Sequence, residues 1–393
     1  MFTAVNSVPV DSIVRLAARL VATPSCGGID SPEPVLRLAH AWLDDSRLKP
    51  RLLHDVEGRP VAVTAEITSS TPGPAICLDA CIDTAPAGDV AQWHTSPFSG
   101  AVEGGRLWGR GAADSKAGVA IIAHVAKHFA EAEIPCGTVH VLFDADEHTG
   151  RFGGVREFVK AVPRLPDAVA LGYPGNDCIV VGSRGFLRVK VRFAGRSAHS
   201  GEIARTGINA LTKAACFSLT IAEAEIAAPH DERFPFGPAA TVTRIEGGEG
   251  FSQVPDLAIC DLDVRLTRTF DATRAMAWLE GIVQSVDARI PSGLASRIET
   301  VDHWPAYLVD TDHPLVRSFA QAAEGSFSRR IGTDVCGPSN IGNFLAAQGV
   351  PTICAPGVGF GNIHAANEWA DVASIASVYS MYCDAVRRFL VAC

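Results

Sequence analysis

Short apolar runs alternate with helical patterns through the first half of the chain. The segments 61–67, 75–83 and 138–146 are predominantly apolar and predict buried strands, whereas 116–131 repeats its apolar residues at helical spacing. Strands that alternate with helices predict an α/β architecture, in which a mixed, largely parallel sheet is flanked by helices. In such sheets the functional residues follow the carboxyl ends of strands.

The pattern changes from about Phe186 onward. Apolar and polar residues now alternate as in strands with one solvated face, and two helical patterns interrupt them. These strands and helices span 186–195, 207–226, 239–248, 257–266 and a segment that starts near Asp271. An apolar strand at 350–357 and a closing helix then resume the first pattern. We therefore predict an α+β domain at 185–302, inserted into a discontinuous domain formed by 1–184 and 303–393.

Composition limits the class of protein. The 393 residues are 47% hydrophobic and 20% charged, which excludes a disordered chain and provides for about two domains. The net charge of −9 and the absence of a basic run predict that nucleic acid is not a partner. No apolar run reaches the ~18 residues of a membrane span, so no membrane association is expected. Eleven cysteines without a C-x-x-C pair, and no signal-peptide pattern, predict a cytoplasmic protein with reduced thiols.

Four segments place metal-competent side chains beside strand ends or glycine-rich turns. Taken singly, each side chain has an ordinary structural explanation, such as a buried thiol for Cys81 or a helix cap for Asp114. Their order along the chain is more specific than any one of them. The segments are LDACIDTAP with Cys81 and Asp83, LWGRGAADSKAG with Asp114, VLFDADEHTG with Glu147 and His148, and GNIHAANEW with His364.

In this order the segments resemble the zinc-dependent metallopeptidase and amidohydrolase family of acetylornithine deacetylase, succinyl-diaminopimelate desuccinylase, aminoacylase and the glutamate-releasing carboxypeptidases. The similarity covers nearly the whole chain and is most specific at GRG-x-x-D-x-K-x-G. It implies a catalytic domain with an inserted lid domain through which a homodimer forms. It also implies a metal-dependent hydrolase of the deacetylase, deacylase or small-peptide type, which cleaves the amide bond of a small molecule such as an N-acyl amino acid.

The resemblance also implies roles for individual residues. Glu147 corresponds to the general base that acts on a metal-activated water, Asp114 to the bridging metal ligand and His364 to a C-terminal ligand. Asp83 resembles the carboxylate that orients the first ligand. His199, in GRSAHSG, resembles the histidine that stabilises the oxyanion of the tetrahedral intermediate from across a dimer.

The substrate-binding residues are also implied by the resemblance. Arg265, in DLDVRL, resembles the lid arginine that pairs with a substrate carboxylate. The loop CGPSNIGN offers Ser339 and Asn340 for hydrogen bonds to the substrate, where relatives have a carboxylate. The same loop also fits the N-terminus of a helix, so both interpretations stay open.

Three ligand positions depart from the family pattern, because Cys81, His148 and Tyr173 replace a histidine and two acids. A phenol has a pKa of about 10 and binds divalent metals poorly at neutral pH, so we assign Tyr173 to the substrate site. Asp114, His148 and His364 offer one carboxylate and two imidazoles, a ligand set suited to zinc and also to manganese, cobalt or iron. We therefore predict one divalent ion. A two-metal site that uses Cys81 and a metal-free site with Cys81 as nucleophile are the alternatives.

Two other functions stay open at this point. The altered ligands fit a single-metal relative that cleaves another C–N bond, such as that of an amidine or aryl amine. The third possibility is a catalytically inactive binding protein. The presence of Glu147 and His199 together argues against it, because decay of activity would not spare both.

Overall fold

The computed structural model describes residues 8–44 and 48–392, which divide into two compact units. The first unit extends to Gly182 and also contains Leu308–Asp334 and the chain from Asn340 onward. The second unit contains Ser183–Tyr307 and Val335–Ser339. The first seven residues, which contribute to the prediction about a signal peptide, lie outside the described residues. Among the helices in the described ranges, none is long and apolar enough to cross a membrane.

The strands and helices are numbered along the chain. The strands are β1 Arg51–His54, β2 Pro60–Thr68, β3 Ala75–Cys81, β4 Val102–Glu103, β5 Arg106–Trp108, β6 Thr138–Asp144, β7 Ala168–Leu171, β8 Cys178–Ser183, β9 Gly185–Ala194, β10 Ala239–Gly247, β11 Leu257–Leu266, β12 Arg297–Trp304, β13 Tyr307–Leu308, β14 Gly332–Cys336, β15 Thr352–Cys354, β16 Phe360–Gly361 and β17 Trp369–Asp371. The α-helices are α1 Val10–Val21, α2 Glu33–Asp44, α3 Ala117–Glu131, α4 Gly153–Ala161, α5 Ala210–Glu223, α6 Ala272–Arg289, α7 Pro314–Phe327, α8 Ile341–Ala347 and α9 Ile375–Ala392.

The main sheet of the first unit has the order β1-β2-β6-β3-β7-β15-β8. Strand β3 pairs in parallel with both β6 and β7, and β15 pairs in parallel with β7, whereas β1, β2 and β6 pair antiparallel. Helices α3 and α9 contact β3, while α2 and α4 contact β2. Every residue of β3 is buried, as expected for a central strand between helices. The predicted mixed, largely parallel sheet flanked by helices is confirmed.

The parallel strands β3, β6 and β7 bring the ends of distant segments together. Because these strands lie side by side and run in one direction, their carboxyl ends meet at one edge of the sheet. Asp83 follows β3, Glu147 and His148 follow β6, and Tyr173 follows β7. The sheet therefore positions four of the predicted site residues at the same edge.

A small second sheet in the first unit supports the loop that carries His364. Its order is β16-β17-β5-β4, and β17 pairs with both β16 and β5. The loop connects β16, which ends at Gly361, to β17, which begins at Trp369. Both ends of this loop are thus fixed by strand pairing.

The second unit is an antiparallel sheet of order β10-β11-β9-β12 with α5 and α6 packed against it. Alternate residues of β9 and β11 point into one apolar core, which includes Val191, Phe217, Val264 and Leu279. This period of two is the alternation that the sequence shows. The predicted separate α+β domain is confirmed, and the structure shows that its sheet is antiparallel.

Candidate metal and catalytic site

Asp114 lies in an irregular turn between β5 and α3. Gly111 begins this turn with a φ of +82°, and a Cβ atom there would approach Thr84 Cγ2 to 2.5 Å, so glycine is required. Asp114 itself has non-helical dihedrals of φ −115° and ψ 89°. Its Oδ1 atom accepts a hydrogen bond of 2.7 Å from Ser115 Oγ. Oδ1 of the Asp114 carboxylate is thus engaged by the neighbouring side chain, while Oδ2 is free of that contact.

His148 and His364 both approach Asp114. His364 Nε2 lies 3.2 Å and His148 Nε2 lies 3.6 Å from Asp114 Oδ2, and one ligand atom from each of the three residues falls within 4.8 Å of the others. One carboxylate and two imidazoles in this arrangement fit a single divalent ion with open positions for water and substrate. Burial raises the pKa of Asp114, but hydrogen bonds from the two histidines outweigh it and hold the pKa below its usual value.

Asp83 fixes the turn that carries Glu147 and His148. Its Oδ1 accepts the backbone N–H of Glu147 at 3.2 Å, and its Oδ2 accepts that of His148 at 3.0 Å. The same Oδ2 lies 3.4 Å from His148 Nδ1, so Asp83 also faces the ring nitrogen turned away from Asp114. Burial lowers the pKa of His148, but Asp114 and Asp83 outweigh it and raise the pKa to about 11. Asp83 therefore contacts both the backbone and the ring of His148.

Glu147 lies beside this cluster with only 12% of its side chain exposed. Its Oε1 accepts a hydrogen bond of 2.9 Å from the hydroxyl of Tyr173, and its Oε2 lies 3.4 Å from His148 Nδ1. Burial raises the pKa of Glu147 to about 7, with the negative charges of Asp114 and Asp83 adding to the effect. A carboxyl group with this pKa can accept and return a proton near neutral pH. The Tyr173 hydroxyl points to Glu147, which differs from the predicted assignment to substrate.

Cys81 is buried at the end of β3. Its Sγ lies 3.4 Å from Ser115 Oγ and 4.0 Å from Asp114 Oδ1. Cys81, Glu147 and His148 form a second group whose potential ligand atoms lie within 4.8 Å. Burial, followed by the charges of Asp114 and Glu147, raises the pKa of the Cys81 thiol well above 9. In the absence of a bound ion, Cys81 is therefore a protonated thiol.

A buried ion pair that sequence reasoning did not assign connects the Asp114 turn to the His364 loop. Arg110 Nη1 donates to Glu368 Oε2 at 2.5 Å, and Arg110 Nη2 donates to the carbonyl of Ala365 at 3.0 Å. Glu368 Oε1 accepts the backbone N–H groups of Ala113 and Asp114 at 3.0 and 3.1 Å. Arg110 belongs to the GRG motif and Glu368 to the HAANE motif, and these motifs were the sequence signal that could have identified the pair.

His364 has a left-handed backbone, with a φ of +59°, and Asn362 and Asn367 in the same loop also have positive φ values. Such values are uncommon outside glycine and persist where the surroundings enforce them. Asn367 accepts the backbone N–H of His94 at 2.7 Å and donates to the carbonyl of Gln92 at 3.0 Å. The loop therefore holds the His364 side chain, which is 55% exposed, in a defined position.

The other predicted residues lie in the second unit or at its boundary. His199 is exposed, and its Nδ1 accepts the backbone N–H of Gly201 at 3.0 Å. Arg265 forms an ion pair of 2.8 Å with Asp263 and lies 3.5 Å from Ser339 Oγ. Ser339 Oγ also donates to a backbone carbonyl, that of residue 184, at 2.7 Å.

Asn340 belongs to the first unit and caps α8. Its side-chain oxygen accepts the backbone N–H of Gly342 at 2.8 Å, and its amide group donates to Cys354 Sγ at 3.6 Å. The backbone N–H of Asn340 in turn donates to Asn343 Oδ1 at 2.8 Å, which completes a capping box. Of the two interpretations of this loop, the helix N-terminus describes the contacts of Asn340, whose side chain is engaged within the protein.

A second arginine accompanies Arg265 in the second unit. Arg184 donates to the carbonyl of Gly337 at 3.0 Å and its guanidinium lies 5.4 Å from the ring centroid of Phe236. Burial lowers the pKa of Arg184, and the nearby charge of Arg265 lowers it further. The two guanidinium groups are thus close enough to interact, and the carboxylate of Asp263 offsets part of their charge. Sequence reasoning identified only Arg265.

Comparison with known proteins identifies the family. The model of peptidase family M20/M25/M40 matches residues 77–388, which is most of the chain. The protein belongs to peptidase family M20/M25/M40. Members of the family bind divalent metals, and the chain is a metal-dependent amidohydrolase or peptidase. The predicted family resemblance and the predicted class of enzyme are confirmed.

Individual relatives agree with this assignment over the full length. The chain is 28% identical over 396 aligned residues to succinyl-diaminopimelate desuccinylase of Xanthobacter autotrophicus, covering 96% of this chain and 99% of the relative. The M20 family metallo-carboxypeptidase Sso-CP2 from Sulfolobus solfataricus superposes with a TM-score of 0.78 at 17% identity, over 97% of this chain and all of that one. The Bacillus subtilis protein YXEP, described as a dinuclear metal-binding peptidase, superposes with a TM-score of 0.72 at 16% identity, over 97% and 98% of the two chains.

Proposed function

We propose that this M20/M25/M40 enzyme hydrolyses the amide bond of a small N-acyl amino acid or short peptide, with one divalent ion held by Asp114, His148 and His364. The observation that carries the proposal is the position of Glu147. Its carboxyl group lies beside His148, next to the only carboxylate–imidazole–imidazole group found among the described residues. A base next to a metal ligand set is the arrangement that hydrolysis by water requires.

Each residue of this site has a defined task in the proposed reaction. A bound divalent ion lowers the pKa of a water molecule and polarises the scissile carbonyl. Glu147 takes the proton of the attacking water and returns it to the leaving amine. Asp83 keeps Glu147 and His148 in place through their backbone N–H groups. Glu368 does the same for Asp114.

A single ion, with zinc as the leading candidate, is supported by the chemistry at Cys81. In the ion-free chain the thiol is protonated, so an ion at Cys81 would have to displace that proton as well as the one on His148. Glu147 belongs to the same candidate ligand group as Cys81, but it accepts a hydrogen bond from the Tyr173 hydroxyl and serves as the base. A dinuclear relative such as YXEP binds two ions, so the count distinguishes this chain from it. Metal analysis that returns two tightly bound equivalents per chain would contradict the proposal.

The second unit supplies the proposed contacts with the substrate. Arg265, with Arg184 nearby, pairs with a substrate carboxylate, and His199 stabilises the oxyanion of the tetrahedral intermediate. In this proposal His199 acts across a homodimer formed through the second unit. Light scattering that gives a monomer under assay conditions would remove this role for His199.

The experiment is a substrate panel. The chain is stripped with a chelator, reloaded with one equivalent of Zn²⁺ and assayed with N-acetyl and N-succinyl amino acids, dipeptides, amidines and aryl amides. Released carboxylate and amine are quantified separately from released ammonia. We expect amine and carboxylate in equal amounts from a substrate with a free carboxylate. Ammonia from an amidine would instead support cleavage of another C–N bond, and binding without turnover would indicate an inactive relative.

The role of Glu147 is tested with the isosteric variant Glu147→Gln, which removes the base and keeps the shape. We expect turnover to fall by about 100-fold or more, since general-base catalysis contributes about 10²–10⁴-fold. Metal content and the melting temperature serve as controls and should stay unchanged. A folded, metal-loaded Glu147→Gln enzyme with most of its turnover would show that Glu147 is not the base.

A further inference from the structure

The hydroxyl of Tyr173 donates a hydrogen bond to the carboxylate of Glu147. It lies 2.9 Å from Oε1, while Oε2 lies 3.4 Å from His148 Nδ1. We propose that Tyr173 is a positioning residue for Glu147: its hydroxyl holds Oε1 and so fixes the carboxylate beside His148. This inference rests on the proposed function and adds a residue that acts on the reaction through the base.

The backbone at Tyr173 is held rigidly, as a positioning residue requires. A Cβ atom on Gly357 would lie 2.0 Å from the carbonyl oxygen of Tyr173, and a Cβ atom on Gly118 would lie 2.1 Å from that of Gly172. The two glycines therefore allow close packing against this part of the backbone. The N–H of Gly172 donates to the carbonyl of Asp79 at 2.7 Å. Helix α3, strand β3 and the segment after β15 therefore pack closely against this part of the chain and restrict its backbone. Side chains on rigid elements hold their partners more accurately than side chains on loops.

The chemistry of a phenol suits a positioning role better than a role as a metal ligand or as a donor to the substrate. A tyrosine hydroxyl has one proton to donate, and here Glu147 receives it. Burial and the charge of Glu147 raise the pKa of Tyr173 well above 10, so the phenol stays a donor and does not become a phenolate ligand. A hydroxyl already donated to Glu147 is not offered to the substrate as a donor. Tyr173 therefore acts on the reaction through Glu147.

The test is the variant Tyr173→Phe, which removes one oxygen atom. We expect kcat to fall about 10–100-fold, because a small misplacement of a catalytic group costs up to about 100-fold. KM should stay within about threefold, and zinc content should stay at one equivalent. A rise in KM at unchanged kcat would overturn the proposal in favour of a substrate contact. Loss of zinc would overturn it in favour of a metal-binding role.

Tyr382→Phe provides a matched control. The hydroxyl of Tyr382 is also buried and lies 3.4 Å from the carbonyl of Leu171, at the end of the same strand that precedes Tyr173. This variant removes the same atom from the same region without touching Glu147, and we expect kcat to change less than about twofold. Equal losses of kcat in both variants would overturn the proposal, because they would indicate a general disturbance at the end of β7 that does not depend on the contact with Glu147.

A double-mutant cycle with Glu147→Asp tests the contact itself. The shorter side chain withdraws the carboxylate by about 1.5 Å, beyond hydrogen-bond distance from the hydroxyl. Tyr173→Phe should then lower kcat less than about twofold in the Glu147→Asp background, whereas independent effects would multiply. Full multiplication would overturn the proposal. A wild-type enzyme that hydrolyses nothing in the panel would overturn the proposed function itself, which distinguishes the two failures.

Discussion

The backbone N–H of Asp114 donates a hydrogen bond of 3.1 Å to Glu368, a residue 254 positions later in the chain. Through this contact and the ion pair with Arg110, which also donates to the carbonyl of Ala365, Glu368 connects the turn of Asp114 to the loop of His364, two of the proposed ligands. Both side chains of the pair are only 1% exposed. Removing one partner of such a buried pair leaves the other uncompensated.

Glu368→Gln should therefore weaken metal binding. The substitution keeps the size of the side chain but removes the charge that faces Arg110. Supporting partners of metal ligands typically contribute about 10–100-fold to affinity, and we expect a loss in that range for Zn²⁺. A competition titration with a chromophoric chelator measures it. Glu324→Gln, on an exposed position of α7, is the control. Wild-type affinity in Glu368→Gln would contradict this role.

The metal affinity should depend strongly on pH. His148 has a pKa of about 11 in the ion-free chain, and a metal ligand must be the neutral imidazole. Below that pKa the ion must displace a proton, so the apparent affinity rises about tenfold per pH unit from this group alone. Equilibrium dialysis between about pH 6 and 8 measures the slope, and titration calorimetry in buffers of different ionisation enthalpy counts the released proton. Asp83→Asn should lower the pH at which this slope levels off, since Asp83 raises the pKa of His148.

Cys81→Ala should leave most of the activity in place. The Cys81 thiol is protonated in the ion-free chain and lies outside the Asp114–His148–His364 group, so neither nucleophilic attack nor the proposed ion requires it. We expect kcat within about threefold of wild type and one equivalent of zinc, with a stability loss of about 1 kcal/mol from the small cavity. Loss of turnover with intact folding would favour the nucleophile. Loss of metal would favour a ligand role.

Asp79 makes stability depend on pH. Asp79 and Asp144 are both fully buried, and their side chains interact with each other. Burial raises the pKa of Asp79 to about 8, against about 3.9 for a free aspartate. Between these values the folded chain binds more protons than the unfolded chain, so the free energy of unfolding falls as pH rises from about 4 to about 8.

Asp79→Asn should remove part of this pH dependence. We expect the variant to gain at least about 1 kcal/mol over wild type at pH 8 and little at pH 5, because a pKa shift of one unit corresponds to about 1.4 kcal/mol. Urea unfolding at the two pH values measures the difference. Asp312→Asn, at an exposed position, is the control. A destabilised Asp79→Asn protein at pH 8 would show that the charge is compensated.

The sequence was sufficient to predict the sheet and the residues that meet at its edge, for related reasons. Apolar runs locate β3 and β6, and residues that follow parallel strands converge at one edge, which brings Asp83, Glu147 and His148 together. The GRG motif located Asp114. Neither periodicity nor motif spacing, however, determines which distant side chains meet.

The contacts that the sequence did not predict join side chains that lie far apart along the chain or depend on how loops pack. Arg110 and Glu368 are separated by 258 positions, and their pairing depends on how two loops pack. The direction of the Tyr173 hydroxyl depends on the glycine contacts that clamp its backbone. For Asn340, a polar side chain in a loop is equally suited to a helix cap and to a substrate contact, and only the fold decides between them.

The pairing of β3 with β7 has a consequence for how this site can change over time. Asp79 lies opposite Leu171 in that parallel register, so Cys81 and Tyr173 each follow the paired segment by two residues on neighbouring strands. A substitution at either position alters the space and the charge that the other meets. We expect these two positions to covary among related sequences, so that a histidine at 81 occurs together with an acidic residue at 173.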